Sequence, residues 1–369
     1  MRLMLILELY DEYLRDFARR NAGPAARPFA EQLERLLDDG FWWQSALARR
    51  LSELGHEVFF AFSNAETLQR AWAAEHGLAF DPRDYLFSVP LAQARAFKPD
   101  LVWIGSMFPY YGKFLKEMRD ICPRVLAWIA CPAPAGLDLS NVDAIFTSHE
   151  NLADQFRARG KRCAVMRPAF EPRVLDKLGR PERDIPFSFV GSFSWYHKRR
   201  LRLLDQAVRR TPLRLWGKGT LAEPGFLGWH YVLKYYCPWL RRTALERRYQ
   251  GQAWGLDMYR VLCRSQLALN VHGDVAEGRA GNMRMFEATG CGALLLTENA
   301  PNIGKMFAPG REVVVYDGID DLVEKANYYL AHEGERNEIA RAGQARTLRE
   351  HSSPARAREF PAIVKELGF

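Results

Sequence analysis

Arg279-Ala-Gly-Asn-Met-Arg-Met-Phe-Glu-Ala-Thr-Gly-Cys-Gly292 is the stretch from which the fold is read. Gly281 lets the backbone come close to a ligand, and Asn282 is placed to cap a helix whose free N–H groups attract phosphate. The helix is predicted over 283–290. Met283 and Phe286 share one face of it, while Arg284 and Glu287 lie together on another at i, i+3 spacing, where the plain role for Glu287 is a local ion pair. Just upstream, Leu267-Ala-Leu-Asn-Val-His-Gly-Asp274 reads as a buried strand ending in the polar pair Asn270 and His272, and just downstream Leu294-Leu-Leu-Thr297 reads as the next strand. Strand, glycine-bearing loop, helix and strand make a parallel α/β unit, in which ligands bind beyond the carboxyl ends of the strands.

The same alternation extends in both directions. Strands are predicted at 186–190, 213–216, 267–271, 293–297 and 312–316, with helices at 197–209, 319–331 and 335–350. An earlier series of strands falls at 2–7, 57–62, 101–104, 124–129, 143–148 and 163–167, and a helix over 42–54 stops at Gly55. Between the two series, residues 167–185 carry Pro168, Pro172 and Pro181 among charged residues, the composition of a linker. The expected architecture is α/β, two Rossmann-like domains facing a cleft: 1–170, then 171–352, with 353–369 a closing helix that returns to the first. Residues 221–249 break the alternation by mixing Phe226, Trp229 and Trp239 with Lys234, Arg241 and Arg242. They read as an insertion packed on its own domain with its bases in solvent; a contact with an acceptor or a membrane surface is the sharper alternative.

With 369 residues, 48% hydrophobic and 26% charged, the chain has the composition of a globular protein and the length of about two domains. The apolar run from Met1 to Leu7 meets Glu8, Asp11 and Glu12 at once, so it reads as a strand rather than a signal peptide. No apolar stretch approaches the roughly 20 residues of a membrane span. The six cysteines are scattered without zinc spacing, which fits reduced thiols in the cytoplasm. A net charge of +8 suits phosphorylated donors, anionic membrane surfaces or nucleic acid alike.

One further junction carries chemistry. Phe187-Ser-Phe-Val-Gly-Ser-Phe-Ser-Trp-Tyr-His-Lys-Arg-Arg200 runs a strand into Gly191 and Ser192 and then into a helix that opens with His197, Lys198, Arg199 and Arg200. A small loop admits phosphate close to backbone N–H groups, and cations at its rim neutralise it; each cation taken singly is equally a solvated helix start.

Phe286-Glu-Ala-Thr-Gly-Cys-Gly292, Leu294-Leu-Leu-Thr297 and Met306-Phe-Ala-Pro-Gly-Arg-Glu-Val-Val-Val-Tyr-Asp317 together resemble the C-terminal half of the GT-B glycosyltransferases, in particular the CgeB-like spore-maturation group. The likeness covers residues 186–352, with Val190-Gly191-Ser192, Trp216-Gly217 and Asn270-Val-His272 at its other motifs. In the first half it is carried only by Leu54-Gly-His-Glu-Val58 and Phe97-Lys-Pro-Asp100. The resemblance implies a nucleotide-sugar donor, UDP-linked for preference, whose ribose hydroxyls bond to Glu287. The Gly191 loop and the helix opened by Asn282 would hold the diphosphate and sugar. Related retaining families carry a second Glu eight residues before the ribose-binding one; here that position is Arg279, which is assigned to phosphate instead.

The sequence has no Asp-x-Asp motif, so no metal and no cofactor is expected, and cations with helix N–H groups would stabilise the leaving group. His272, Arg279 and Glu8 are the candidate catalytic residues. The acceptor side is expected in the first half, at Glu8, Tyr10, 39–44, Ser106, His149 and Glu150, with a polysaccharide, lipid-linked or protein glycan as acceptor. Two other functions stay open: transfer to hydroxymethylated DNA, drawn from the charge and the insertion, and a non-catalytic nucleotide-binding scaffold. No Gly-x-Gly-x-x-Gly follows the first strand, which argues against a dehydrogenase. The oligomeric state is not legible.

Overall fold

The protein was analysed as a computed structural model that describes residues 1–21, 27–134, 136–193, 198–219, 221 and 243–369. Its chain divides into two compact units, Met1–Glu171 with Ser353–Phe369, and Pro172–Ser352.

In unit 1 the elements run β1 (Arg2–Leu7), α1 (Asp11–Arg20), α2 (Phe29–Asp38), α3 (Trp43–Glu53), β2 (Glu57–Phe62), α4 (Glu66–Glu75), α5 (Tyr85–Phe97), β3 (Leu101–Ile104), α6 (Lys113–Ile121), β4 (Val125–Trp128), β5 (Ala144–Thr147), α7 (Glu150–Ala158) and β6 (Arg162–Val165). The six strands form one parallel sheet in the order β2-β1-β3-β4-β5-β6. A parallel sheet is covered on both faces, so its strands are continuous apolar runs; Leu3 to Ile6 and Leu101 to Ile104 are fully buried.

Unit 2 continues with α8 (Arg173–Leu178), β7 (Ile185–Val190), α9 (Lys198–Arg210), β8 (Leu213–Trp216), α10 (Ala244–Arg248), α11 (Gly255–Arg264), β9 (Ser265–Asn270), α12 (Met283–Gly290), β10 (Leu294–Glu298), β11 (Val314–Tyr316), α13 (Ile319–Ala331) and α14 (Glu333–Glu350). Its five strands are parallel in the order β11-β10-β9-β7-β8. The order reverses between β7 and β9, which marks the place where an open sheet of this kind takes its ligand.

The last helix, α15 (Ser353–Glu366), belongs to unit 1. Phe360 on it lies 5.8 Å from the ring of Trp103 and 6.0 Å from that of Phe146, so the sheet of unit 1 has an apolar cover that local sequence does not supply. The points where the chain leaves and re-enters unit 1 are joined: Ser353 donates its N–H to the Phe170 carbonyl (2.8 Å) and its hydroxyl to the Glu171 carboxylate (2.7 Å). The proline-bearing stretch predicted as a linker contains α8. Of the aromatic-basic insertion, residues 222–242 lie outside the described residues; Thr243 and Glu246 form a reciprocal capping box that starts α10.

Candidate functional site

The loops after β7 and β8 run side by side. Gly191 donates its N–H to the Trp216 carbonyl (3.0 Å), Phe193 to Lys218 (2.7 Å) and Gly217 to Gly251 (3.0 Å). A Cβ on Gly217, at φ +145°, would sit 1.6 Å from the Gly191 oxygen. Gly217 is therefore required for backbone approach, and the Gly191 amide, expected to meet phosphate, is bonded to a neighbouring carbonyl, as is that of Gly217. Ser192 turns its carbonyl to Arg200 Nη1 (3.3 Å), and Trp216 is half-buried.

The four cations expected at the rim of this loop have different situations. His197 lies outside the described residues, and Lys198 is the first residue of α9. Arg199 pairs with Glu298 (Nη2 to Oε2 3.0 Å) and approaches Asp274 (3.5 Å). Arg200, 9% exposed, ties the β7 and β9 loops together through the Ser192 and Val271 carbonyls (3.3 and 3.2 Å), and burial lowers its pKa. It is a strut between loops rather than an open cation.

Beyond β9 and β10 the polar side chains answer one another. Asn270 and Asn282 exchange amide bonds (2.6 and 3.2 Å), Asn270 also donates to Thr297 Oγ1 (2.9 Å), and Tyr316 donates its hydroxyl to the Asn270 carbonyl (3.0 Å). His272, 2% exposed, has Nε2 against the Glu298 carbonyl (2.9 Å), which requires the proton on that nitrogen and leaves Nδ1 as acceptor toward the Asn270 amide (3.5 Å). Burial lowers its pKa, so it is neutral. Both ring nitrogens of His272, a candidate catalytic residue, have partners inside the unit, the Glu298 carbonyl and the Asn270 amide.

Asn282 occupies the N-cap of α12, but its side chain makes no capping bond. The expected cap is diverted to Asn270, and the amides that open α12 are left without one. An uncapped helix start carries partial positive charge from several aligned N–H groups. Arg279 precedes it on a loop fixed by a reciprocal amide pair, Ala280 N–H to Asn302 Oδ1 and Asn302 Nδ2 to the Ala280 carbonyl (both 2.8 Å), and Gly281 sits at φ +152°. The half-buried Arg279 side chain has no hydrogen-bond or ion-pair partner among the described residues.

Within α12, Arg284 spans three partners: the Val190 carbonyl (2.9 Å), Met258 Sδ (2.9 Å) and Glu287 Oε2 (2.8 Å). The Glu287 side chain is 3% exposed, with the Tyr259 hydroxyl 3.5 Å from Oε1. Burial raises its pKa, opposed by Arg284 and Tyr259. The local ion pair is thus made, and a ribose reaches this carboxylate only if it displaces that neighbourhood. Met283, one residue into the helix, is half-buried. Among the described residues no cluster of three or more His, Cys, Asp or Glu side chains is placed to hold a metal, and no helix is long and apolar enough to cross a membrane.

Glu8 belongs to unit 1, just after β1, where burial and then Asp11 raise its pKa; Ser106 Oγ bonds to its backbone carbonyl (3.4 Å). The other acceptor-side candidates include Asp39, held by Arg20 (2.9 Å), and Gln44, fully buried. Sequence reasoning passed over Asn302, Glu298, Tyr259 and Tyr316, each of which is set by a contact far along the chain.

The family described as glycosyl transferase-like matches residues 199–362, under half of the chain. Among solved structures, Anabaena HepE in complex with UDP-glucose aligns over 99% of this chain and 100% of its own, with a TM-score of 0.60 and 12% identity. Sucrose-phosphate synthase from Thermosynechococcus elongatus aligns over 100% and 99% (TM-score 0.58, 11% identity), and the Escherichia coli trehalose-6-phosphate protein bound with UDP-2-fluoro glucose over 100% and 99% (TM-score 0.55, 12% identity). Comparison with curated proteins finds no match. At such identities the likeness carries the fold: two parallel-sheet α/β units matching GT-B glycosyltransferase structures.

Proposed function

We propose that the protein is a glycosyltransferase that takes a sugar from a nucleotide-sugar donor, UDP-linked for preference, and passes it to a hydroxyl of a polysaccharide, lipid-linked or protein glycan in the cytoplasm. The observation that carries this reading is the start of α12: an uncapped helix N-terminus, its Asn282 side chain diverted to Asn270, beside the Arg279 guanidinium, which has no partner among the described residues, at the edge of the β7–β9 switch point. The glycosyl transferase-like match over the same region supports it. So does the presence of UDP-glucose or a UDP-sugar analogue in two structures of like fold.

In this reading the diphosphate lies against the first amides of α12 and Arg279. When the glycosidic bond breaks, charge builds on the leaving diphosphate, and preorganised N–H groups and a guanidinium stabilise it without metal. Arg284 and Glu287 act together: Arg284 holds the end of β7 through the Val190 carbonyl, and Glu287 meets the ribose hydroxyls as its contact with Arg284 loosens. His272 and the two asparagines hold the loop against the sheet. Glu8 is the candidate base on the acceptor side; its raised pKa brings a carboxyl closer to the range useful for taking a proton. Within the fold, likeness to the CgeB-like group rests on the motifs of residues 186–352.

A thermal-shift panel of UDP, GDP, ADP, CMP and dTDP tests the donor, because a ligand that binds only the folded state raises the melting temperature. Stabilisation by UDP in the wild type, reduced in Glu287→Ala, is the expected outcome. Silence from every nucleotide would sink the reading.

A further inference from the structure

Unit 1 contains a cavity of about 350 Å³ between α1, α2 and the loop after β2. That size falls within the range of roughly 300–1,000 Å³ common to small-molecule sites. Its apolar wall comes from Leu14, Phe17 and Leu36. Its polar wall carries the exposed carboxylates of Asp11 and Glu66, Tyr85, Gln32 and three arginines: Arg27 and Arg35, which pair with Glu31, and the exposed Arg15, which has no partner among the described residues.

The walls are fixed from outside. Asn64 accepts the Leu9 N–H (2.8 Å) and returns its amide to the Leu9 carbonyl (2.6 Å), which locks the loop after β1 to the loop after β2. Arg20 bridges Asp16 on α1 (2.8 Å) and Asp39 beyond α2 (2.9 Å), so the two helices that frame the cavity are joined. Such a site is formed before its ligand arrives.

Its chemistry selects among ligands. A nucleoside diphosphate would meet Asp11 and Glu66 together with arginines of which two, Arg27 and Arg35, are already paired with Glu31. An acyl chain would take the water from these exposed carboxylates, whose partners are Asn64 Nδ2 on Asp11 (3.3 Å) and Arg70 Nη2 on Glu66 (2.7 Å), and would give them no hydrogen bond in its place. A sugar ring meets both walls, because its C–H face packs on apolar side chains while adjacent hydroxyls donate in pairs to a carboxylate and accept from a guanidinium or phenol. Burial, then Glu66, Asp11 and Glu8, keep the Tyr85 phenol protonated and able to donate.

We propose that this cavity binds a sugar ring, with Asp11 and Glu66 accepting from its hydroxyls, Tyr85 and Arg15 donating to it, and Leu14 and Phe17 under its apolar face. Identifying that sugar as part of the acceptor rests on the transfer reading; the binding itself does not.

Saturation-transfer NMR on the full chain, without nucleotide, tests it with methyl glucoside, methyl galactoside, methyl mannoside and cyclohexanol, each to about 50 mM, since single rings bind in the millimolar range. At least one glycoside is expected to give transfer and cyclohexanol none. Leu14→Trp, which fills the cavity, is expected to remove the signal with the melting temperature retained. Should that variant unfold, Asp11→Ala serves instead, with an expected loss of at least fivefold in affinity. No transfer from any glycoside, or transfer unchanged in the folded variants, overturns the proposal. Glycoside binding in a protein that ignores every nucleotide would leave the cavity standing and remove only the donor reading.

Discussion

At the carboxyl edge of the sheet in unit 2, buried polar side chains bond to one another: Asn270 with Asn282 and Thr297, His272 with the Glu298 carbonyl, Tyr316 with the backbone of Asn270. At the same edge of unit 1, titratable groups gather instead, Asp11 meeting only the Asn64 amide (3.3 Å) and Glu66 the Arg70 guanidinium (2.7 Å) among the described residues. Glu8 and Tyr85 are both raised, first by burial and then by neighbouring carboxylates. A closed network holds dipoles in fixed directions, which is what a site for a charged leaving group requires. A crowded acidic edge keeps acceptors for hydroxyl protons. The two edges share an architecture and differ in which chemistry they are prepared for.

The largest expected effect breaks the scaffold of unit 2. Gly217→Ala would place its Cβ 1.6 Å from the Gly191 oxygen at a φ of +145°, and a loss of about 3 kcal/mol or more in urea unfolding is predicted. Gly251→Ala, also at positive φ but with nothing within 4 Å, should lose only about 1 kcal/mol. Equal losses would show that conformation, not close approach, governs these loops.

The network itself is tested by Asn270→Ala, Asn282→Ala and the double variant. Each single change is expected to lose about 1–3 kcal/mol, and the double should fall short of their sum by about 1 kcal/mol because the two amides bond to each other. Strict additivity would mean the pair is not coupled.

A smaller effect comes from pH. Because burial holds the pKa of His272 below its ordinary value, neutral His272 adds stability above the unfolded pKa of about 6.5, and this is lost as pH falls through the folded value. Wild type should therefore lose about 1 kcal/mol more between pH 7.5 and 5 than His272→Asn, as read by chemical denaturation at each pH. Parallel curves would remove His272 from the account. The smallest change is expected in unit 1, where Asn64→Ala should lose about 1 kcal/mol through the two bonds to Leu9.

How far each site was legible follows from how its residues are spaced. Apolar runs and glycine stops placed the eleven strands of the described residues close to where they lie, since a doubly covered parallel strand must be apolar throughout. In unit 2 the stretch from Asn270 to Glu287 brings the helix start and its neighbours together locally, so the sequence located that region. It could not tell that Asn282 turns away from its helix, because the partner, Asn270, is chosen by the strand register. Nor could it see that the Gly191 and Gly217 amides are satisfied by the carbonyls of Trp216 and Gly251. The cavity of unit 1 draws on Asp11, Leu36, Asn64 and Tyr85, residues from four separate elements and loops with no motif among them, and nothing local marks it.

The central claim is that the uncapped start of α12 receives a nucleoside diphosphate, and isothermal titration of UDP into wild type and Asn282→Asp tests it most directly. Asp at this position caps the helix with a negative charge and leaves the side chain nearly unchanged in size. UDP should bind the wild type and bind the variant about tenfold more weakly or worse. No binding to a folded wild type, or equal affinity in the two proteins, would contradict it.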